Sequence, residues 1–223
     1  MTTVVLIAKE CLPGRVKTRL TPPLTPEEAA DVAAASLDDS IEAALAMPAT
    51  RRVLLFDGTR PPAAAAGFDV MPQVGGGLDE RLAAMFDALD GPTLLVGMDT
   101  PQLTDAHVAE VFAHGTDGHE GSDMDAWFGP ATDGGFWALW LRDPRGDLVR
   151  GVPMSQDHTG AVQLARLNAA GLRVGLLDPL LDVDTVADAA EVAALAPETR
   201  FARAFHAVHA SGSSGSARQE EIR

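Results

Sequence analysis

The chain has 223 residues, 46% of them hydrophobic, which suffices for a sizeable core and makes one large α/β domain the simplest arrangement. Its formal net charge of −15 argues against a nucleic acid polymer as partner, because the summed field repels phosphate backbones. It leaves room for a small nucleotide, whose charge a divalent cation and a local basic segment can offset. One cysteine, Cys11, rules out an intramolecular disulfide. No apolar run nears the roughly 18 residues of a membrane span, and MTTVVLIAKE lacks the basic start and cleavage site of a signal peptide. A cytoplasmic protein with no membrane partner is expected.

In chain order, residues 3–8 are a β-branched, apolar run of buried-strand length. A Gly/Pro loop follows, and Thr25-Pro26-Glu27-Glu28 reads as a capping box with proline at the first helical position, opening a helix to about Met47. Residues 52–56 (RVLLF) predict a strand, 61–67 a loop or short helix, and 68–71 a short strand running into Gln73-Val74-Gly75-Gly76-Gly77. An amphipathic helix is expected over 78–89. The most strand-like run, 93–98 (TLLVGM), ends directly on Asp99-Thr100-Pro101. Thr104 caps a helix to about Phe112, and 114–125 form a polar Gly-rich connection. Strands over 125–128 and 135–141 flank Gly129-Pro130-Ala131-Thr132-Asp133-Gly134. A helix over 159–170, a strand over 173–177 and a final helix over 185–195 complete the pattern. One unit over 1–200 is expected, with a disordered tail over 210–223.

Strands alternate with helices, which predicts a Rossmann-like, three-layer α/β/α fold with a mostly parallel sheet. Ligands in such sheets bind beyond the carboxyl ends of the strands. The basic loop, the Gly75–Gly77 turn and Asp99 all follow strands directly.

The two lysines of the chain, Lys9 and Lys17, fall in one segment, KECLPGRVKTRL, together with Arg15 and Arg19. Gly14 and Pro13 shape its turn. Four cations against Glu10 suit a di- or triphosphate, with lysine as a point charge and arginine as a planar fork; a solvated basic loop is the plainer alternative. Asp99, at the end of a buried strand, is placed to hold a hard cation or simply to form a turn. In Leu181-Asp182-Val183-Asp184-Thr185 the alternating acids share a face. Asp184 reads either as a second metal ligand or, with Thr185 as the other candidate, as the cap of the final helix. Glycines around Asp133 permit close approach to a ligand and equally make a hairpin. Gln73 with Gly76 reads either as a base-edge reader or as a plain turn. His114 and His119 read as a solvated loop, His158 as a helix-entry residue, Trp137 and Trp140 as core or pocket wall, and Cys11 as inert.

Taken in order, K-x-x-x-x-G-x-V-K-T-R-L, Q-x-G-G, G-x-D-x-P, G-P-A-x-D-G-G-F and D-V-D-T resemble the small transferases of glycosyltransferase-A type labelled arsenosugar-biosynthesis glycosyltransferases. Relatives of these include 2-phospho-L-lactate guanylyltransferase and the molybdenum-cofactor guanylyltransferase. The resemblance runs from about Val4 to Ala196. It implies phosphate binding by Lys9, Gly14, Arg15, Lys17 and Arg19, nucleotide contacts from Gln73 and Gly76, and Mg²⁺ (or Mn²⁺) on Asp99 and Asp184. The catalytic set is then Lys17, Asp99 and Asp133, with Gly134, Gly135 and Ser155 at the acceptor. The chain departs from the pattern at Cys11-Leu12, Met154-Ser155-Gln156 and Val186-Ala187.

The favoured reaction is nucleotidyl transfer from an NTP to a small anionic acceptor, releasing pyrophosphate. The alternatives are sugar transfer from an NDP-sugar, with Asp133 as base, and nucleotide binding without catalysis. The Ala-rich helices suit either a homodimer face or the core.

Overall fold

The computed structural model describes residues 2–113 and 124–216. Its strands are β1 (Thr3–Lys9), β2 (Arg51–Asp57), β3 (Asp69–Pro72), β4 (Thr93–Gly97), β5 (Ala126–Pro130), β6 (Phe136–Leu141) and β7 (Val174–Leu176). They form one sheet in the order β3-β2-β1-β4-β6-β5-β7. Only β6 runs antiparallel to its neighbours, β4 and β5; the other pairs are parallel. The reversal has a consequence for the site. It puts the amino end of β6, and the hairpin before it, on the edge where β1, β4 and β5 end.

The helices are α1 (Pro26–Ala46), α2 (Leu78–Asp87), α3 (Ala109–Phe112), α4 (Thr159–Ala169), α5 (Val186–Leu195) and α6 (Arg200–Ser216). The alternation of β1 builds both faces of the sheet. Val4, Leu6 and Ala8 pack with Leu37, Ile41 and Ala44 of α1. Val5 joins Val53 and Leu55 against Leu82, Met85 and Phe86 of α2. Both sheet faces are therefore covered, as expected of a mostly parallel sheet.

The capping box at the head of α1 forms as its sequence predicts. Thr25 N donates to Glu28 Oε2 at 2.8 Å, and Glu28 N to Thr25 Oγ1 at 3.2 Å. The expected helix after Thr104 is instead a 3₁₀ turn, Asp105–Val108, followed by the single α-turn of α3. Of the polar connection, residues 114–123 lie outside the described residues, His114 and His119 among them.

The carboxyl end corrects the expectation. A further helix, α6, follows α5 and runs to Ser216, into the tail expected to be disordered from 210; residues 217–223 lie outside the described residues. Phe201, Phe205 and Val208 recur at helical spacing. They pack, with Val192 and Ala193 of α5, on Ala29 and Val32 of α1. Asp39 of α1 caps the new helix. Its carboxylate accepts from Arg200 N at 3.1 Å, Phe201 N at 2.8 Å and Arg200 Nη1 at 3.1 Å.

Asp39→Ala should lower the stability by about 1–3 kcal/mol, because it leaves two helix N–H groups at a buried position without an acceptor. Urea denaturation reads this. An unchanged midpoint would mean that apolar contacts alone hold α6.

Candidate functional site

Lys17 stands at the centre of the carboxyl edge of the sheet. Its backbone is left-handed, with φ 46° and ψ 38°, at the start of a 3₁₀ turn, Thr18–Leu20. That conformation costs a non-glycine residue on the order of 1 kcal/mol. Burial on both sides holds it: Val16 packs against Ala30 and Ala33, and Leu20 enters the cluster shared with α5 and α6. The side chain, only 8% exposed, turns inward, and its ammonium lies 2.6 Å from Asp99 Oδ1 and 3.8 Å from Asp184 Oδ1. It also donates to the carbonyl of Val183. Arg19 Nη1 contacts Asp184 Oδ2 at 2.9 Å.

Asp99 follows β4 and is fixed through its neighbours. Ser36 Oγ of α1 donates to Met98 O at 2.8 Å, and Lys9 N to Met98 Sδ at 3.4 Å. Val183 N donates to Asp99 O at 2.9 Å, tying the end of β4 to the 180–184 segment. Gln102 Nε2 adds a bond to Leu181 O at 2.7 Å, and Leu180 N bonds Pro130 O at 3.2 Å beyond β5. The segment carrying Asp182 and Asp184 is thus laced to two strand ends.

Of the two readings of Asp184, the geometry removes one, the helix cap. The cap of α5 is Thr185, whose Oγ1 accepts from Asp188 N, while Asp188 Oδ2 accepts from Thr185 N at 2.7 Å. The carboxylate of Asp184 is left to the cations. Asp182 is mostly buried; burial first, then the charges of Asp133, Asp99 and Asp184, push its carboxyl up to about 7. Its Oδ1 is buried without a hydrogen-bond partner.

Two chambers meet at the Asp99–Asp184 pair. The smaller, about 140 Å³, is lined by Lys9, Lys17, Thr18 and Arg19. The larger, about 620 Å³, is walled by Phe136, Trp137 and Met154 and lined by Asp133, Asp157, Asp182 and Asp188; the Asp157 side chain is 91% exposed, with Oδ1 3.0 Å from His158 Nδ1, and the Asp188 carboxylate serves the cap of α5. Arg19, Asp99 and Asp184 line both. Cationic and acidic space are divided at one point.

Other predicted residues fall as follows. Asp133 lines the larger chamber, and its Oδ1 accepts from Gly135 N at 2.8 Å, so the hairpin and the cavity wall are one feature. Gly134, with φ 91°, bonds the head of α4: Gly160 N donates to Gly134 O at 2.8 Å. Gly135 and Ser155 line the larger chamber, and Ser155 has φ 57°. Lys9 and Arg15 are exposed, and Gly14 makes its turn with φ 72°. Arg15 lines neither chamber.

Gln73 and Gly76 also stand apart from both chambers. Gln73 Nε2 donates to Ala8 O at 3.0 Å and Leu55 O at 3.1 Å, stitching β1 to β2, while its Oε1 accepts from Arg81 Nη1 at 3.2 Å. Arg81 Nε in turn bonds Gly76 O at 3.0 Å.

Asp157, Thr100 and Asp188 belong to the larger chamber and were not expected there. Asp157 sits beside the singled-out His158. Its placement comes from the close packing of the hairpin on α4, which no local pattern encodes. Burial, then the negative charges of Asp99 and Asp38, push the Cys11 thiol up to about 11, in line with an inert cysteine.

A family model described as an uncharacterized protein conserved in bacteria (DUF2064) matches residues 32–156. No curated protein matches the chain. Among solved structures, the chain is similar to a protein from Desulfovibrio desulfuricans G20 provisionally named a nucleotide-diphospho-sugar transferase. They are 22% identical, with a TM-score of 0.75 over 96% of this chain and 95% of that one. A nucleotidyl transferase from Methanothermobacter is 15% identical, with a TM-score of 0.56 over 91% and 98% of the two chains. CMP:2-keto-3-deoxy-manno-octonic acid synthetase complexed with CTP is 12% identical, with a TM-score of 0.55 over 88% and 98%. These likenesses bear out the Rossmann-like fold that the motifs implied.

Two outcomes check the site. A Cβ at position 134 would lie 1.9 Å from Asp157 O on a left-handed backbone; Gly134→Ala should therefore cost at least about 2 kcal/mol and shift the thermal midpoint down. Alkylation of Cys11 by iodoacetamide should still be rising about tenfold per pH unit at pH ~9.5. A profile with its midpoint at pH ~8.5, already levelling off at pH ~9.5, would show an ordinary, unburied thiol.

Proposed function

The chain belongs to the DUF2064 family, and we propose that it is a divalent-metal-dependent transferase acting on a nucleotide-activated substrate. The unit that does so spans residues 1–200. One observation carries the reading: cations and acids face each other at a single point, with Lys17 Nζ 2.6 Å from Asp99 Oδ1 and 3.8 Å from Asp184 Oδ1.

The donor set fits a magnesium or manganese ion. The Asp99 and Asp184 carboxylates are 43% and 41% exposed, so both are open to a ligand, and both reach the one ammonium. Mg²⁺ takes one or two carboxylates and fills its shell with phosphate oxygens and water. Asp99 and Asp184 would hold it, and it would offset the charge that develops on the departing phosphate. The residues of the smaller chamber then do the binding. Lys9, Lys17 and Arg19 neutralise phosphoryl oxygens, with Arg15 on the exposed rim and the turn at Gly14 shaping the loop.

Between the two chemistries, the larger chamber favours group transfer from an NDP-sugar to a hydroxyl. Its carboxylates repel the anionic acceptor that a nucleotidyl transfer was expected to use. Asp133 is held at Oδ1 by Gly135 N, which leaves its other oxygen to take the acceptor proton. The acceptor oxygen bonds to the anomeric carbon as the bond to the nucleoside diphosphate breaks. Gly134, Gly135 and Ser155 shape the wall on which the acceptor rests. The provisional name of the Desulfovibrio protein points the same way.

Nucleotidyl transfer is the second reading, supported by the four cations of the loop, which suit a triphosphate and its leaving pyrophosphate. Gln73 and Gly76 then serve the nucleotide by holding the β1 and β2 ends rather than by touching the base.

A thermal-shift screen of NTPs and NDP-sugars, with and without Mg²⁺, tests both readings, since a ligand of the native state raises the melting temperature. Metal-dependent shifts from NDP-sugars are expected. Asp99→Asn should then lower turnover on the order of 10²-fold or more. Shifts from NTPs alone would move the assignment to nucleotidyl transfer, and no shift from any nucleotide would sink both.

A further inference from the structure

The charge of the larger chamber bears on what the acceptor is. Beyond the Asp99–Asp184 pair it is lined by Asp133, Asp157, Asp182 and Asp188, and its one lining cation among the described residues is Arg19, which contacts Asp184 at 2.9 Å and on the proposed reading turns to the donor phosphates. An ionised carboxylate is an acceptor only, so whatever fills the space must bring hydrogen-bond donors. Phe136, Trp137 and Met154 supply an apolar wall beside these acids. The Trp137 ring is fixed in place, because its Nε1 donates to Asp178 O at 3.1 Å. A volume of about 620 Å³ falls within the ordinary range of small-molecule sites.

From this geometry we infer that the acceptor is a hydroxyl-rich small molecule of the sugar or polyol class that carries no negative charge, and that Asp133, with Asp157 at the open rim, excludes anionic analogues. Hydroxyl hydrogens meet the carboxylates, and the C–H face of the ring lies on the aromatic wall. An acidic group on the same skeleton would face Asp133 and Asp157, while Arg19, the lining cation, serves the phosphates of the donor. The two excluding residues come from separate elements, Asp133 from the turn before β6 and Asp157 from the approach to α4. The packing of Gly134 against the Asp157 backbone brings them together, since a Cβ there would lie 1.9 Å from Asp157 O.

The inference rests on the transferase reading, and its test keeps the two apart. Saturation-transfer NMR is run on the full chain with Mg²⁺ and the nucleoside diphosphate that shifts the melting temperature. The probes are matched pairs differing only in charge: glucose with glucuronate, galactose with galacturonate, and glycerol with glycerate. In at least one pair the neutral member should bind at least tenfold more tightly. In the Asp133→Asn/Asp157→Asn double variant that ratio should fall towards one, and the retained nucleotide shift then certifies the fold. Equal or tighter binding of the anionic members overturns the inference, as does a ratio untouched in the double variant. Failure of every pair to bind a protein that still binds nucleotide also overturns it, while the transferase reading stands.

Discussion

One buried ammonium organises the working edge of this molecule. Asp99 and Asp184 reach the same point from segments 85 residues apart, and two carboxylates so placed repel unless a cation stands between them. Lys17 supplies that cation, at 2.6 and 3.8 Å, and anchors it further on the carbonyl of Val183. Removing it would take the ammonium from Asp99 and leave Asp184 with Arg19, 2.9 Å away. The left-handed backbone at Lys17 is the local cost of aiming the side chain inward, and the burial of Val16 and Leu20 offsets it.

The same point divides the electrostatics of the site. A chain of net charge −15 repels polyanions at long range, yet both of its lysines lie in one loop, and that loop lines the smaller chamber. Opposite lies a chamber lined by acids, which on the proposed reading would repel the phosphates held at the loop. A nucleotide-activated donor has a polyanionic end and a reacting end, and it needs such an asymmetry to bind in one direction only. The acidic bulk and the basic loop are therefore complementary parts of one field rather than a general surface property.

The antiparallel strand β6 and the terminal helices make this geometry durable. By running against β4 and β5, β6 delivers the Asp133 hairpin to the same edge as Asp99. Helices α5 and α6 pack on α1 and, through Val183 in the same cluster, press the 180–184 segment towards Lys17. Asp39 capping the amino end of α6 links that buttress to the central helix from the far side.

Much of this was legible in the residues because it is local. Period-two and period-3.6 patterning marked all seven described strands and most helices within a few residues, and the Thr25 and Thr185 boxes concern atoms three or four positions apart. Clustering of both lysines marked the loop. Where the outcome depended on distant partners, the pattern ran out. Phe201 and Phe205 gave a weak signal for α6 that only the surface of α1 makes decisive. Gln73 read equally as a base reader or as part of a plain turn, and the carbonyls of Ala8 and Leu55, brought together by strand pairing, take its amide. Asp184 read as cap or ligand, and the structure removes the cap, which Thr185 holds. Sequence alone determined the elements, their order and the charged loops, since these follow from backbone periodicity and residue chemistry. Tertiary structure alone decided which carboxylates share a cation and which are buried, because a pairwise charge interaction depends on distance in space and not on separation along the chain.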